Sequence, residues 1–81
     1  MVNTVGIPQS EVIRALELTA GTRLKEEPDS TGYKKHWVST GPKGESILLF
    51  LTDYGFDETS YDEAFGAGKA VRTIDCLRAG L

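Results

Sequence analysis

The only histidine, His36, lies in the run Lys34-Lys35-His36-Trp37. Histidine can act as a general acid or base near neutral pH, lysines can attract phosphate, and tryptophan can stack on a nucleobase. This combination of residue types is compatible with RNA cleavage. No base, nucleophile or second ligand accompanies His36 at a recognisable spacing, so a surface histidine on a half-polar strand is the simpler interpretation.

A second group of chemically active residues lies in the segment 53–63, which has five carboxylates and no basic residue. Carboxylates a few ångströms apart can occupy sites meant for phosphates, and aromatic side chains supply rigid contact area. The segment therefore predicts a surface that binds a basic partner. The predicted contact residues are Asp53, Tyr54, Asp57, Glu58, Tyr61, Asp62 and Glu63. The alternative is a solvated loop and helix start whose aromatic residues, Phe56 and Phe65 included, point into the core.

Other chemistry is not expected from these residues. The spacing of Asp53, Asp57 and Glu58 does not fit a calcium-binding loop, and paired-carboxylate glycosidase chemistry needs a sugar cleft that a small chain could hardly enclose. We therefore expect no metal and no cofactor. The single cysteine, Cys76, is expected to be a small packed residue of the last predicted helix.

Length and charge limit the class of protein. The 81 residues are enough for one domain, 1–81, with a net charge of −3. Residues 1–52 are neutral, whereas residues 53–81 hold six acidic and three basic side chains. Direct binding of duplex DNA is not expected from this balance. Because there is no signal sequence or long apolar run, we expect a soluble, cytoplasmic protein without a membrane partner.

The first two elements that position these residues are a helix and an edge strand. Pro8 or Ser10 marks the start of an amphipathic helix and Gly21 its end. Its apolar stripe has helical spacing and consists of Val12, Ile13, Leu16 and Ala20, with Leu18 to one side. Residues 22–27 predict a short exposed edge strand, and the turn-forming residues 28–32 follow it.

A β-hairpin follows the edge strand in the predicted order. Strands are predicted at 33–40 and 45–52, joined by a turn at 41–44; the second is apolar on both faces and is expected to be central. On the first strand, Trp37 and Ser39 share a face with Tyr33 and Lys35, opposite His36.

The segment after the hairpin predicts two helices. Ser60 and Glu63 match a capping box, so a short helix is expected from Ser60 to Gly66 or Gly68. The last helix is predicted at 69–79, with Gly80 as its end and an apolar stripe of Ala70, Ile74, Leu77 and Leu81. The predicted fold is α+β: an N-terminal helix and a three-stranded antiparallel sheet, with the short acidic helix and the C-terminal helix packed on one face.

Residues 56–66, FDETSYDEAFG, resemble the acidic segment of a small type I-F anti-CRISPR family of phage proteins. In both, the segment follows an apolar strand and leads into a capped helix. The resemblance implies an inhibitor that blocks DNA binding by a CRISPR surveillance complex, with Asp57, Glu58, Asp62 and Glu63 in place of DNA phosphates.

A second, more diffuse resemblance is to HicA-type mRNA interferase toxins. It rests on residues 10–17, on Lys35-His36 in a strand followed by a turn and an apolar strand, and on the ending 77–81. It implies a catalytic role for His36 in RNA cleavage.

The first of these functions is the one that the sequence favours. It predicts a small, non-enzymatic protein that binds a basic groove on a host nucleic-acid-binding protein by mimicking nucleic acid. Changing Asp57, Glu58, Asp62 and Glu63 to amides is then expected to abolish binding and leave the fold intact. The RNA-cleaving toxin is the alternative. The sequence identifies neither the partner, nor the oligomeric state, nor the source.

Overall fold

In the computed structural model, which describes residues 1–28 and 35–80, helices cover one face of a single antiparallel sheet. The elements are β1 (Val2–Asn3), α1 (Gln9–Ala20), β2 (Lys25–Pro28), β3 (Lys35–Thr40), β4 (Ser46–Leu51), β5 (Gly55–Phe56), α2 (Thr59–Phe65) and α3 (Lys69–Ala79). The α+β class is thus confirmed. Within the described residues the sheet has five strands, in the order β1-β5-β4-β3-β2.

The prediction of three strands was therefore wrong by two strands, β1 and β5. β1 and β5 are two residues each and pair through Val2 with Phe56 and Asn3 with Gly55. Strands this short show no alternation that a sequence pattern could detect. The backbones of β1 and β5 are closest at Gly55, whose φ is +152° and where a Cβ would overlap the Val2 carbonyl oxygen.

Helix α1 forms where its pattern predicts. Pro8 precedes its first residue, and Gly21 ends it in the left-handed conformation, donating its N–H to the Glu17 carbonyl at 2.9 Å. Val12 and Leu16 are completely buried, whereas Leu18 is 75% exposed. The stripe therefore packs on the sheet and Leu18 lies outside it, as predicted.

The hairpin of β3 and β4 places one face of each strand in the core. Ile47, Leu49 and Leu51 of β4 are buried, and so are Trp37 and Ser39 of β3. β4 is central, between β3 and β5, which confirms its predicted position. Its other face is not covered by helices, because Leu48 and Phe50 remain exposed.

Strand β2 lies at the sheet edge, as predicted, but spans Lys25–Pro28 and not 22–27. The predicted turn begins at Pro28, which belongs to β2, and its other residues, 29–32, lie outside the described residues. Tyr33 and Lys34 of the predicted first hairpin strand lie outside them too.

Helix α3 occupies the predicted residues 69–79, and Ala70 and Ile74 are buried on its predicted stripe. Gly80 ends α3 without a left-handed conformation, and Leu81 of the stripe is not among the described residues. Helix α2 ends at Gly66 as predicted, but begins at Thr59 and lacks the hydrogen bonds of the Ser60–Glu63 capping box.

One hydrophobic core joins the sheet and the helices. Its fully enclosed members come from α1, the sheet, α2 and α3: Val12, Leu16, Ile47, Leu49, Phe56, Tyr61 and Ile74. The acidic segment 53–63 follows β4 and contains β5 and the first part of α2.

Candidate acidic interface

A tight turn between β4 and β5 displays the first two predicted contact residues. The Thr52 hydroxyl donates to the Gly55 carbonyl at 3.0 Å and accepts the N–H groups of Tyr54 and Gly55, both at 3.2 Å. This network leaves the Tyr54 side chain 73% exposed. Asp53 is also exposed and accepts a hydrogen bond from the Gln9 side chain at 3.5 Å.

Asp57 is held by the residue that begins α2. Its Oδ1 accepts the Thr59 hydroxyl at 2.6 Å and the Thr59 N–H at 2.9 Å. These two hydrogen bonds, the side-chain one first, lower the pKa of Asp57 below its ordinary value because they stabilise the ionised carboxylate. Asp57 therefore carries its charge on the surface at neutral pH.

Glu63 is exposed on α2. It lies four residues after Thr59, which is about one helical turn along the same side of the helix, and Thr59 binds Asp57. Within residues 1–28 and 35–80, no lysine or arginine forms an ion pair with Asp53, Asp57 or Glu63. These three exposed carboxylates, with Tyr54, form what we call the acidic surface.

Tyr61 does not belong to that surface, so its prediction as a contact residue was wrong. Its side chain is completely buried, its ring packs on Phe65 with centroids 4.8 Å apart, and its hydroxyl donates to the Leu16 carbonyl at 3.0 Å. Burial of the phenol raises the pKa of Tyr61 to about 12. For Tyr61 and the buried Phe56, the alternative prediction of core aromatics is the correct one.

Asp62 serves the fold. Its Oδ2 accepts the Gly68 N–H and its Oδ1 the Ala70 N–H, both at 3.1 Å. Both N–H groups lie at the start of α3, where a helix leaves amides without backbone partners. An asparagine has only one acceptor oxygen for these two donors. The expectation that Asp62 can be neutralised without disturbing the fold is therefore corrected.

Glu58 also has an intramolecular partner. Its Oε2 lies 3.4 Å from the Met1 ammonium, and its side chain is 29% exposed. The pair joins the N-terminus to the residue that precedes α2. Of the seven predicted contact residues, Asp53, Tyr54, Asp57 and Glu63 are thus exposed on the surface.

His36 lies on β3, which is separated from β5 by β4 in the strand order. Its Nε2 is 3.6 Å from Glu27 Oε2 on β2, and its ring is tilted against Phe50 of β4 with centroids 5.5 Å apart. The side chain is 15% exposed. Its buried Nδ1 has no hydrogen-bond partner among the described residues.

Cys76 is exposed on α3, so the prediction that it is packed was wrong. The buried side of that helix is formed by Ala70, Thr73 and Ile74, and Cys76 lies on its flank. Over the part of the chain that the structure describes, no three histidine, cysteine or acidic side chains are grouped to hold a metal ion. Over the same residues, no helix is long and apolar enough to span a membrane.

Comparisons of the chain with protein-family models, with curated proteins and with solved structures find no match. Function must therefore be argued from the chain itself.

Proposed function

We propose that this chain is a non-enzymatic interaction protein that binds a basic groove on a nucleic-acid-binding protein. The observation that carries the proposal is the acidic surface. Asp53, Asp57 and Glu63 are exposed and form no ion pair with a lysine or arginine among the described residues, and Tyr54, next to Asp53 in the chain, is exposed as well. A partner with arginines or lysines spaced to hold phosphates can pair with such carboxylates.

Two features adapt this surface to a basic partner. Asp57 keeps its charge because Thr59 holds the carboxylate in place, so little side-chain entropy is lost when it binds. Tyr54 offers a large amphipathic side chain of the kind that is enriched in interfaces. The resemblance of residues 56–66 to a type I-F anti-CRISPR segment suggests a CRISPR surveillance complex in the cytoplasm as the partner, with Asp57 and Glu63 in place of phosphates.

The test is a matched pair of triple variants. Asp53→Asn, Asp57→Asn and Glu63→Gln together remove three charges from the acidic surface, and the amide oxygen that Asp57→Asn introduces can still accept the Thr59 hydrogen bonds. Glu11→Gln, Glu45→Gln and Asp75→Asn remove three charges elsewhere. Binding of a DNA target by a purified type I-F surveillance complex is measured by gel shift with each protein added.

The wild type and the control variant are expected to block DNA binding by that complex, and the acidic-surface variant is expected to lose at least tenfold in potency. If none of the three proteins inhibits this complex, immobilised protein is used to capture partners from nuclease-treated host lysate. The proposal then requires that the captured protein binds duplex DNA and that the wild-type chain competes with that DNA. Equal affinity of the two triple variants for it would contradict the proposal.

The RNA-cleaving alternative retains one observation in its favour. A carboxylate, Glu27, lies beside the imidazole of His36 at 3.6 Å, and a carboxylate in that position can orient a histidine base. It predicts that His36→Ala removes both growth arrest on expression and cleavage of RNA by the purified protein. Absence of cleavage by the wild type would exclude it.

A further inference from the structure

One face of the sheet is not covered by the helices. Pairing between strands places Lys25 beside Val38 and Leu48 in one row across the sheet, and Glu27 beside His36 and Phe50 in another. Because side chains alternate along strands, these six point away from the buried Trp37 and Leu49. We call these six residues the open face.

The centre of the open face is apolar. Leu48 is 37% exposed and Phe50 43%, side by side on the central strand β4, and Val38 of β3 is half-buried next to them. Lys25 and Glu27 of the edge strand β2 flank this centre, and Lys25 is exposed while the Glu27 side chain is 47% exposed. An apolar centre with a charged rim is the composition of a protein interface.

The open face is complementary to itself. The row Glu26–Trp37–Leu49 lies between the two rows of the open face and points to the helices. Two copies of the sheet can be stacked with their open faces together and related by a twofold axis that runs parallel to this row. On every strand, this axis places the residue before the row opposite the second copy's residue after the row.

Such an axis sets Lys25 opposite the second copy's Glu27, and Leu48 opposite the second copy's Phe50. On β3 it sets Val38 opposite the second copy's His36. The pair of Lys25 and Glu27 then occurs twice in the dimer, and the exposed apolar residues of the two copies contact one another. The strands of the two sheets remain nearly aligned, which is the usual arrangement of stacked sheets.

We infer that the open face binds a second copy of this chain, forming an isologous dimer. Three strands about 4.8 Å apart and the four residues of β2, about 3.3 Å each, give a face of roughly 14 by 13 Å. This is smaller than the interfaces of stable complexes, so the dimer is weak and reversible. The inference does not depend on the proposed function, because the open face and the acidic surface share no residue.

Sedimentation equilibrium of the full chain, from about 1 µM to 1 mM, tests the dimer. Lys25→Glu and Glu27→Lys are each expected to weaken self-association about tenfold or more, because each places like charges opposite one another twice. Mixed in equal amounts, the two variants are expected to dimerise with each other, since every rim contact is then complementary again. Phe50→Ser is expected to leave only monomer.

Two matched controls lie off the open face. Arg23→Glu changes a charge next to β2 in sequence, and Leu18→Ser removes an apolar residue that is 75% exposed on α1. Both are expected to self-associate as the wild type does. Circular dichroism of each variant shows whether it folds, and the mixing experiment uses only variants that do.

A wild type that stays monomeric at every concentration would overturn the inference, and so would failure of the two folded single-charge variants to dimerise when mixed. The inference would also be overturned if Leu18→Ser lost self-association while Phe50→Ser self-associated as the wild type does, because the interface would then lie elsewhere. A monomer that instead binds a labelled oligouridine through Phe50 would assign the open face to nucleic acid.

Discussion

Each carboxylate of the acidic segment has its own environment, and the environment decides its role. Asp57 and Asp62 are five residues apart and both accept two hydrogen bonds. Among the described residues Asp57 accepts hydrogen bonds from Thr59 alone, and its exposed charge stays on the surface. Asp62 binds two amides at the start of the next helix, so its charge supports the fold.

Replacing Asp62 by asparagine is expected to destabilise the protein by about 0.5–2 kcal/mol, because one of the two amides at the start of α3 loses its acceptor. Glu63→Gln, one residue away on the exposed side of α2, is the control and is expected to change stability by less than about 0.5 kcal/mol. Urea denaturation followed by circular dichroism measures both. Equal stability of the two variants would contradict the capping role of Asp62.

Tyr61 makes stability sensitive to alkaline pH. The phenol ionises near pH 10 in the unfolded chain and near 12 in the folded protein, so between these values the unfolded state binds fewer protons. The free energy of unfolding is therefore unaffected below pH 10 and falls as pH rises towards 12. The full contribution is on the order of 2–3 kcal/mol.

Tyr61→Phe is expected to remove this part of the alkaline loss and also the hydrogen bond to the Leu16 carbonyl, which costs about 1–2 kcal/mol at neutral pH. The difference in tyrosinate absorbance between wild type and variant should then show one phenol ionising near pH 12. A difference spectrum centred at pH 10 would show that Tyr61 is accessible to water.

At the scale of elements, the N-terminal strand depends on a single glycine. β1 is held by its pairing with β5 and by Arg78, which donates to the carbonyls of Asn3 at 2.7 Å and Val5 at 3.1 Å. The backbones of β1 and β5 approach so closely at Gly55 that no side chain fits there.

Gly55→Ala is expected to destabilise the protein by about 2–3 kcal/mol or more, because it adds an overlap with Val2 to an unfavourable φ. Gly66→Ala is the matched control: its φ is also positive, +126°, but the added Cβ meets no atom within 4 Å. Hydrogen exchange is expected to show faster exchange of the Thr4 amide only in Gly55→Ala. A similar loss of stability in both variants would show that the destabilisation comes from backbone strain at a positive φ and not from the close approach of β1.

At the scale of the whole molecule, two surfaces of different character share one sheet. The acidic surface has Asp53 and Tyr54 before β5 and Asp57 and Glu63 after it, and the open face is formed by β2, β3 and β4. The proposed dimer presents the acidic surface twice. Two linked copies of a binding surface increase the apparent affinity for a target that repeats the binding site.

Dimerisation predicts that the thermal midpoint of the wild type depends on protein concentration. A tenfold increase above the dissociation constant is expected to raise it by roughly 2–5 °C, since only folded chains form the dimer. The midpoint of Phe50→Ser is expected to be independent of concentration. Calorimetry at two concentrations measures this, and a wild-type midpoint that does not move would contradict the dimer.

Local pattern alone determined α1, α3, the hairpin, the central position of β4 and the acidity of the segment after it. These follow from spacings of a few residues, in which apolar periodicity, glycine and proline act on their neighbours. Only the tertiary structure decided which acidic and aromatic residues are exposed to solvent. Tyr61 is bound to Leu16, 45 residues away, Glu58 to Met1, and β1 to β5. Such contacts depend on how helices and strands pack, and nothing in the residues next to them in the chain distinguishes a carboxylate that caps a helix from one that faces solvent.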